Sequence, residues 1–171
     1  MTTLKQDERV AIARLHALLE LLPSALDKEL ASSGLTAFEF TLLEALAEAP
    51  NHRLRLTALA SKTNATLPRL SRVVTGLEGK GLIARMPCAE DGRATNAVMT
   101  GRGLGAHDVA APVYADAVRR LVLDALSARP GGVAQLADVS LAVLDALDPA
   151  GKLAVTAEGR ECAADPVSAT A

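Results

Sequence analysis

The sequence predicts a mainly α-helical chain with one small β hairpin, and three observations carry that expectation. Half of the 171 residues are apolar and the aromatics are only Phe38, Phe40 and Tyr114, so propensity favours helices over a β-sandwich. Apolar residues recur at steps of three or four through most of the chain, and the period gives way to short extended runs chiefly around residues 82–99. Charge is segregated as well. Arg53 to Arg102 carries nine Lys or Arg against three acids, a surplus of +6, while Met1 to His52 and Gly103 to Ala171 are each −4 and the whole chain is −2. A basic middle between acidic ends argues for a polyanion-facing module held by a separate scaffold.

Each element follows from local pattern. From about Gln6 to Ser33, Ala11, Leu15, Leu18, Leu22, Leu26 and Leu30 define a helix that Pro23 is expected to kink. Thr36 with Glu39 three residues on has the capping-box spacing, and Phe38, Leu42, Leu43 and Leu46 give the next helix a buried face before Pro50. A short extended piece ends at Leu56, Thr57 is expected to cap a brief helix to about Lys62, and Asn64 makes a turn. Thr66 then caps a helix to about Glu78, with Gly79 or Gly81 as its stop. At 100° per residue, Leu67, Leu70, Val73, Val74 and Leu77 gather on one side of it. Pro68, Arg72 and Thr75 point the other way, with Arg69 and Ser71 at the margins. LIARMP and TNAVMT read as two strands joined by the charged tip CAEDGRA, and Thr100 caps a further helix. A long helical pattern from about Gly103 to Ala128, with Pro112 as a kink, is interrupted by ARPGG and followed by a last helix from about Val133 to Leu147, which Pro149 and Gly151 end. The remainder has no amphipathic period and is expected to be a flexible tail.

A short helix, a turn, a second helix with a basic exposed face and a charged hairpin together make a winged helix-turn-helix. Such a helix fits the DNA major groove, where Arg bonds a guanine edge bidentately, and the hairpin tip reaches the adjacent minor groove. At these residues the run LTALASKTNATLPRLSRVVTGLEGKGLIARMPCAEDGRATNAVMTGRG resembles the MarR family of bacterial transcriptional regulators, whose hallmarks are the recognition helix, an L-E-x-x-G-L stretch, a D-x-R wing and L-T-x-x-G. The likeness extends from Leu35 to about Leu147. It implies that Thr66, Pro68, Arg69, Ser71, Arg72, Thr75 and Arg85 belong to the DNA-binding surface, that Asp91 braces the wing and that Arg93 enters the minor groove. Two departures stand out: Gly92 and Ala94 loosen the tip, and Met99 replaces the usual Leu before Thr100.

The same resemblance implies a division into an N-terminal dimerisation helix over 1–34, a DNA-binding lobe over 35–103 and C-terminal dimerisation helices over 104–148, leaving 149–171 as the tail. It implies a homodimer on an inverted-repeat operator in double-stranded DNA, acting as a repressor that a small-molecule effector releases. His16, Phe38, Phe40 and Tyr114 are candidates for the effector pocket, with core packing as the competing role for the aromatics.

Two other readings stay open: thiol redox sensing through Cys88, and a winged-helix protein-interaction module without specific DNA binding. Against the first, the family's sensing cysteines lie in the first helix, where this chain has none. Cys88 and Cys162 form no CxxC pair or Cys/His cluster, so neither a structural metal nor a cofactor is expected. No nucleophile has a recognisable base partner, which argues against an enzyme. A start without a signal-peptide core, and no apolar run of about 18 residues, lead to the expectation of a soluble cytoplasmic protein with no membrane partner.

Overall fold

Thr36 closes a reciprocal cap at the second helix: its Oγ1 accepts from Glu39 N at 3.1 Å and its own N donates to Glu39 Oε2 at 2.9 Å. The computed structural model describes residues 3–88 and 94–148. Its elements are α1 (Gln6–Leu30), α2 (Ala37–Ala47), β1 (Arg53–Arg55), α3 (Leu56–Lys62), α4 (Leu67–Gly79), β2 (Ile83–Pro87), β3 (Thr95–Met99), α5 (Gly101–Val118), α6 (Asp124–Ser127) and α7 (Gly132–Leu147). The architecture is mainly helical with one antiparallel sheet of order β1-β3-β2. Ile83 faces Met99 across β2 and β3, and Arg53 faces Val98 across β1 and β3.

The core gathers where α2, α3 and α4 meet the inner face of the sheet. Leu42, Leu43, Leu46, Leu59, Leu70, Val74 and Leu77 are fully buried there. Leu30 from the end of α1 and Ala110 from α5 join the same cluster, so the outer helices are rooted in the lobe's own core. Burying each such Leu or Val stabilises the fold by about 1.5–3 kcal/mol.

The structure departs from sequence expectation in several places. The extended piece before α3 is a third strand, β1, where two were expected. The helix after it begins two residues early, with Arg55 as its N-cap residue in place of Thr57, because the chain turns directly from the β1–β3 ladder into helix. Thr66 stands at the N-cap of α4 with no side-chain cap bond. Leu67, expected on the buried face, is exposed: as the first helical residue it precedes the turn that packs on α2 and α3. The long helix starts at Gly101, where the Thr100 Oγ1 accepts from Gly103 N at 3.0 Å. Its irregularity is a π-helical segment, Arg119–Leu123, that lies beyond Pro112. The expected stops Pro149 and Gly151, the tail, Cys162, Gly92 and the wing residues Asp91 and Arg93 lie outside the described residues.

Two helices leave apolar surface uncovered. On α1 the stripe that Leu26 and Leu30 bury continues upward through Ile12, Leu15 and Leu19, all exposed; on α7, Val133, Leu136, Val143 and Leu147 form a second exposed stripe. Among the described residues, no helix is long and apolar enough to cross a membrane.

Candidate nucleic-acid interface

The outward face of α4 is built by a strict division of labour around the helix. Leu70, Val74 and Leu77 anchor it to the core, which turns Pro68, Arg69, Ser71, Arg72 and Thr75 outward, all exposed, together with Thr66 just before the helix. Pro68 in the first turn sacrifices no helix bond and presets φ. The turn that delivers α4 needs a left-handed residue, and Asn64 supplies it with φ 52°, a conformation Asn tolerates better than most residues.

Two guanidinium groups brace the flanks of that face. On the α2 side, Arg69 Cζ lies 4.2 Å from the centroid of the Phe38 ring, a cation–π distance. On the wing side, Arg85 reaches from β2. Its Nη2 donates to Ser71 O at 2.9 Å, Ser71 Oγ at 3.3 Å and Thr75 Oγ1 at 3.0 Å, while Nη1 donates to Glu78 Oε2 at 2.8 Å. Between these flanks stands Arg72, whose Nε makes one long bond, 3.4 Å, to the Pro68 carbonyl. Arg72 is therefore the cation of α4 best placed to turn outward to a ligand.

A third brace sets the far end of α4. Lys80 Nζ donates to Glu39 Oε1 and Oε2 at 2.8 Å each and to the Gly34 carbonyl at 2.9 Å. The Glu39 carboxylate that caps α2 thus also ties the end of α4 to the α1–α2 corner. Cys88 follows β2 with its side chain half-buried, and its backbone N donates to Ala94 O at 2.9 Å, holding the base of the wing closed.

The four candidate pocket residues do not converge within the chain. Phe40 is buried and stacks on Tyr114 with ring centroids 4.5 Å apart. Phe38 points to Arg69 instead, and His16 is exposed on α1. Residues 38 and 40 are about 200° apart around α2, so one helix face cannot present both.

Sequence reasoning passed over His107. Its ring lies parallel to Phe40 at 5.6 Å, Nε2 pairs with Glu44 Oε2, and Nδ1 lies 3.3 Å from Asp108 Oδ1. Burial works against the imidazolium, but the bonds to Glu44 and Asp108 outweigh it and hold the pKa above the ordinary 6.5. Its partner acid lies 63 residues away on α2, a pairing that no local pattern in the sequence marks. Because the folded pKa is raised, this pair's stabilisation is complete below pH 6.5 and is lost as pH climbs through the folded value. Thermal melts of wild type should lose stability over that rise, and His107→Gln should flatten the dependence; an unchanged profile in the variant would assign it elsewhere. Burial, with the Glu44 charge beside it, likewise raises the Tyr114 pKa above 10.

Comparison with known proteins agrees with this geometry. A family model described as the MarR family matches residues 35–95. Sco3205, a MarR family transcriptional regulator from Streptomyces coelicolor solved in complex with DNA, is 32% identical with a TM-score of 0.81, the match covering 86% of this chain and 92% of that one. AbsC, a MarR family transcriptional regulator from the same organism, is 30% identical with a TM-score of 0.81 and coverage of 87% and 99%. BldR, a transcriptional regulator from Sulfolobus solfataricus, shares the fold at 21% identity, a TM-score of 0.68 and coverage of 84% and 99%. No curated protein matches the chain.

Proposed function

The chain belongs to the MarR family of transcriptional regulators, and from that premise we propose that it is a homodimeric repressor binding an inverted-repeat operator and released by a small-molecule effector. The observation that carries the DNA reading is the face of α4, where Arg72 stands exposed between two braced flanks above a fully buried anchor row. Thr66, Pro68, Arg69, Ser71, Arg72 and Thr75 are assigned to the major-groove side and Asp91 and Arg93 to the wing, within a DNA-binding lobe over residues 35–103. Support for dimerisation comes from the uncovered stripes of α1 and α7 in the flanking segments 1–34 and 104–148. A two-fold then presents two α4 helices to half-sites about one turn, roughly 34 Å, apart.

Release by a ligand needs differential affinity for the DNA-incompetent spacing of the two lobes, and 100-fold release corresponds to about 2.7 kcal/mol of coupling. The Phe38–Arg69 contact supports a route for it, since a ligand that displaces Phe38 on α2 removes the platform under an α4 cation. Phe40, Tyr114 and His16 are assigned to the same effector region.

The test is a gel shift on duplex spanning the region upstream of the protein's own gene. Arg72→Ala is expected to relax preference at particular bases at a cost of about 1–3 kcal/mol. Arg93→Ala should weaken binding evenly across related sites and make it less salt-dependent, because minor-groove pattern is degenerate. Wild-type binding by both variants, with folds intact by circular dichroism, would overturn the DNA assignment.

A further inference from the structure

Resting on the reading of α4 as the DNA-facing helix, we propose that Arg85 is a positioning residue, a clamp that fixes the angle between recognition helix and wing, and not itself a phosphate contact. Ser71, Thr75 and Glu78 occupy one edge of α4 at spacings of four and three, so they line up along the flank that faces β2. Arg85 engages all three. Its guanidinium fork spans them with the 2.8–3.3 Å bonds described above, and its backbone N donates to Glu78 Oε1 at 3.2 Å. Glu78 therefore grips both the main chain and the side chain of the same wing residue.

The hydroxyls are committed in the same network. Thr75 Oγ1 donates to Ser71 O at 2.9 Å while accepting from Arg85, and that carbonyl also receives Arg85 Nη2. Both Nη2 hydrogens and one on Nη1, three of the five guanidinium donors, are thereby directed into the helix, which pins the group's plane against α4 and turns its fork away from DNA. What it does instead is geometric. α4 and the strand that leads to the wing tip meet the duplex in neighbouring grooves, so a small rotation between them removes one contact whenever the other forms.

Two substitutions separate the clamp from a phosphate contact. Lysine keeps the charge but is a point donor without a fork, so Arg85→Lys should cut operator affinity at least 10-fold, whereas a phosphate contact would survive the change within about twofold. Glu78→Gln gives opposite signs: deleting an acid next to DNA strengthens binding on electrostatic grounds, but loosening the clamp should weaken it by about 5-fold. The double variant should bind no worse than Arg85→Lys alone, since both act on one contact. Hydroxyl-radical footprints on the upstream duplex should lose protection under the wing while half-site protection under α4 persists, a pattern general destabilisation does not produce. Thermal melts establish that the Glu78→Gln protein is folded. If wild type binds the duplex and Arg72→Ala is impaired, yet both clamp variants bind within twofold of wild type, the clamp is wrong and the DNA reading stands. If wild type does not bind, the DNA reading itself has failed, and the clamp with it.

Discussion

A chain carrying Leu19→Glu and Val143→Glu is expected to sediment as a folded monomer and to bind its operator about 10²- to 10⁴-fold more weakly than wild type. The two residues are 66% and 43% exposed in the single chain, so charging them removes nothing from its core. Glu is as good a helix former as Leu and better than Val, so α1 and α7 should persist. In a dimer the same positions would bury two charges per protomer in an apolar seam with no partner for them, a cost that far exceeds what a surface substitution imposes. Affinity falls because the second half-site no longer binds intramolecularly, and avidity of that kind contributes 10²–10⁴ without any further contact. The decisive comparison sets full operator against an isolated half-site: wild type should discriminate strongly, the variant hardly at all. A variant that remains dimeric by sedimentation would place the interface elsewhere.

The parts of the fold written locally were legible from sequence. The capping box at Thr36 and Glu39, the Thr100 cap and the buried row Leu70, Val74 and Leu77 all follow from spacing along one element, and the structure has each of them. Thr57 misled because cap preference is a weak prior that the neighbouring strand overrides: β1 runs to Arg55 and sets the helix start itself. Leu67 misled because helical phase says which side a residue faces but not whether anything packs there. The site was legible to a different depth. That α4 shows a basic face follows from phase alone, whereas its bracing does not. Phe38 under Arg69, Glu39 on Lys80 and Glu78 on Arg85 join elements 7–41 residues apart, and one sequence carries no signal for which acid meets which base. His107 and Glu44, 63 residues apart, are the same case.

Gly103→Ala is expected to destabilise the protein by about 3 kcal/mol, lowering the melting temperature by roughly 10 °C, although alanine is the better helix former. In the L-T-x-x-G pattern the threonine's part is plain: Thr100 N donates to Leu82 O at 3.0 Å, and Thr100 Oγ1 donates to Gly81 O at 2.8 Å while capping Gly103 N. The glycine's part is spatial. A Cβ at Gly103 would overlap the Leu82 carbonyl oxygen and press on Met99 Cγ at 2.9 Å; the Met side chain can swing aside, but the carbonyl is backbone and is the acceptor for Thr100. Relief therefore requires α5 to lift from the start of β2, which strains the Thr100 cap and shifts the β2–β3 hairpin relative to α5. Gly76 in α4 is the internal control, since a Cβ there meets nothing within 4 Å. Gly76→Ala should raise stability by about 0.5–1 kcal/mol through helix propensity alone. The same substitution in two helices should thus move the melting temperature in opposite directions. A Gly103→Ala protein that melts at or above wild type would show that α5 and the start of β2 are not held in this close contact.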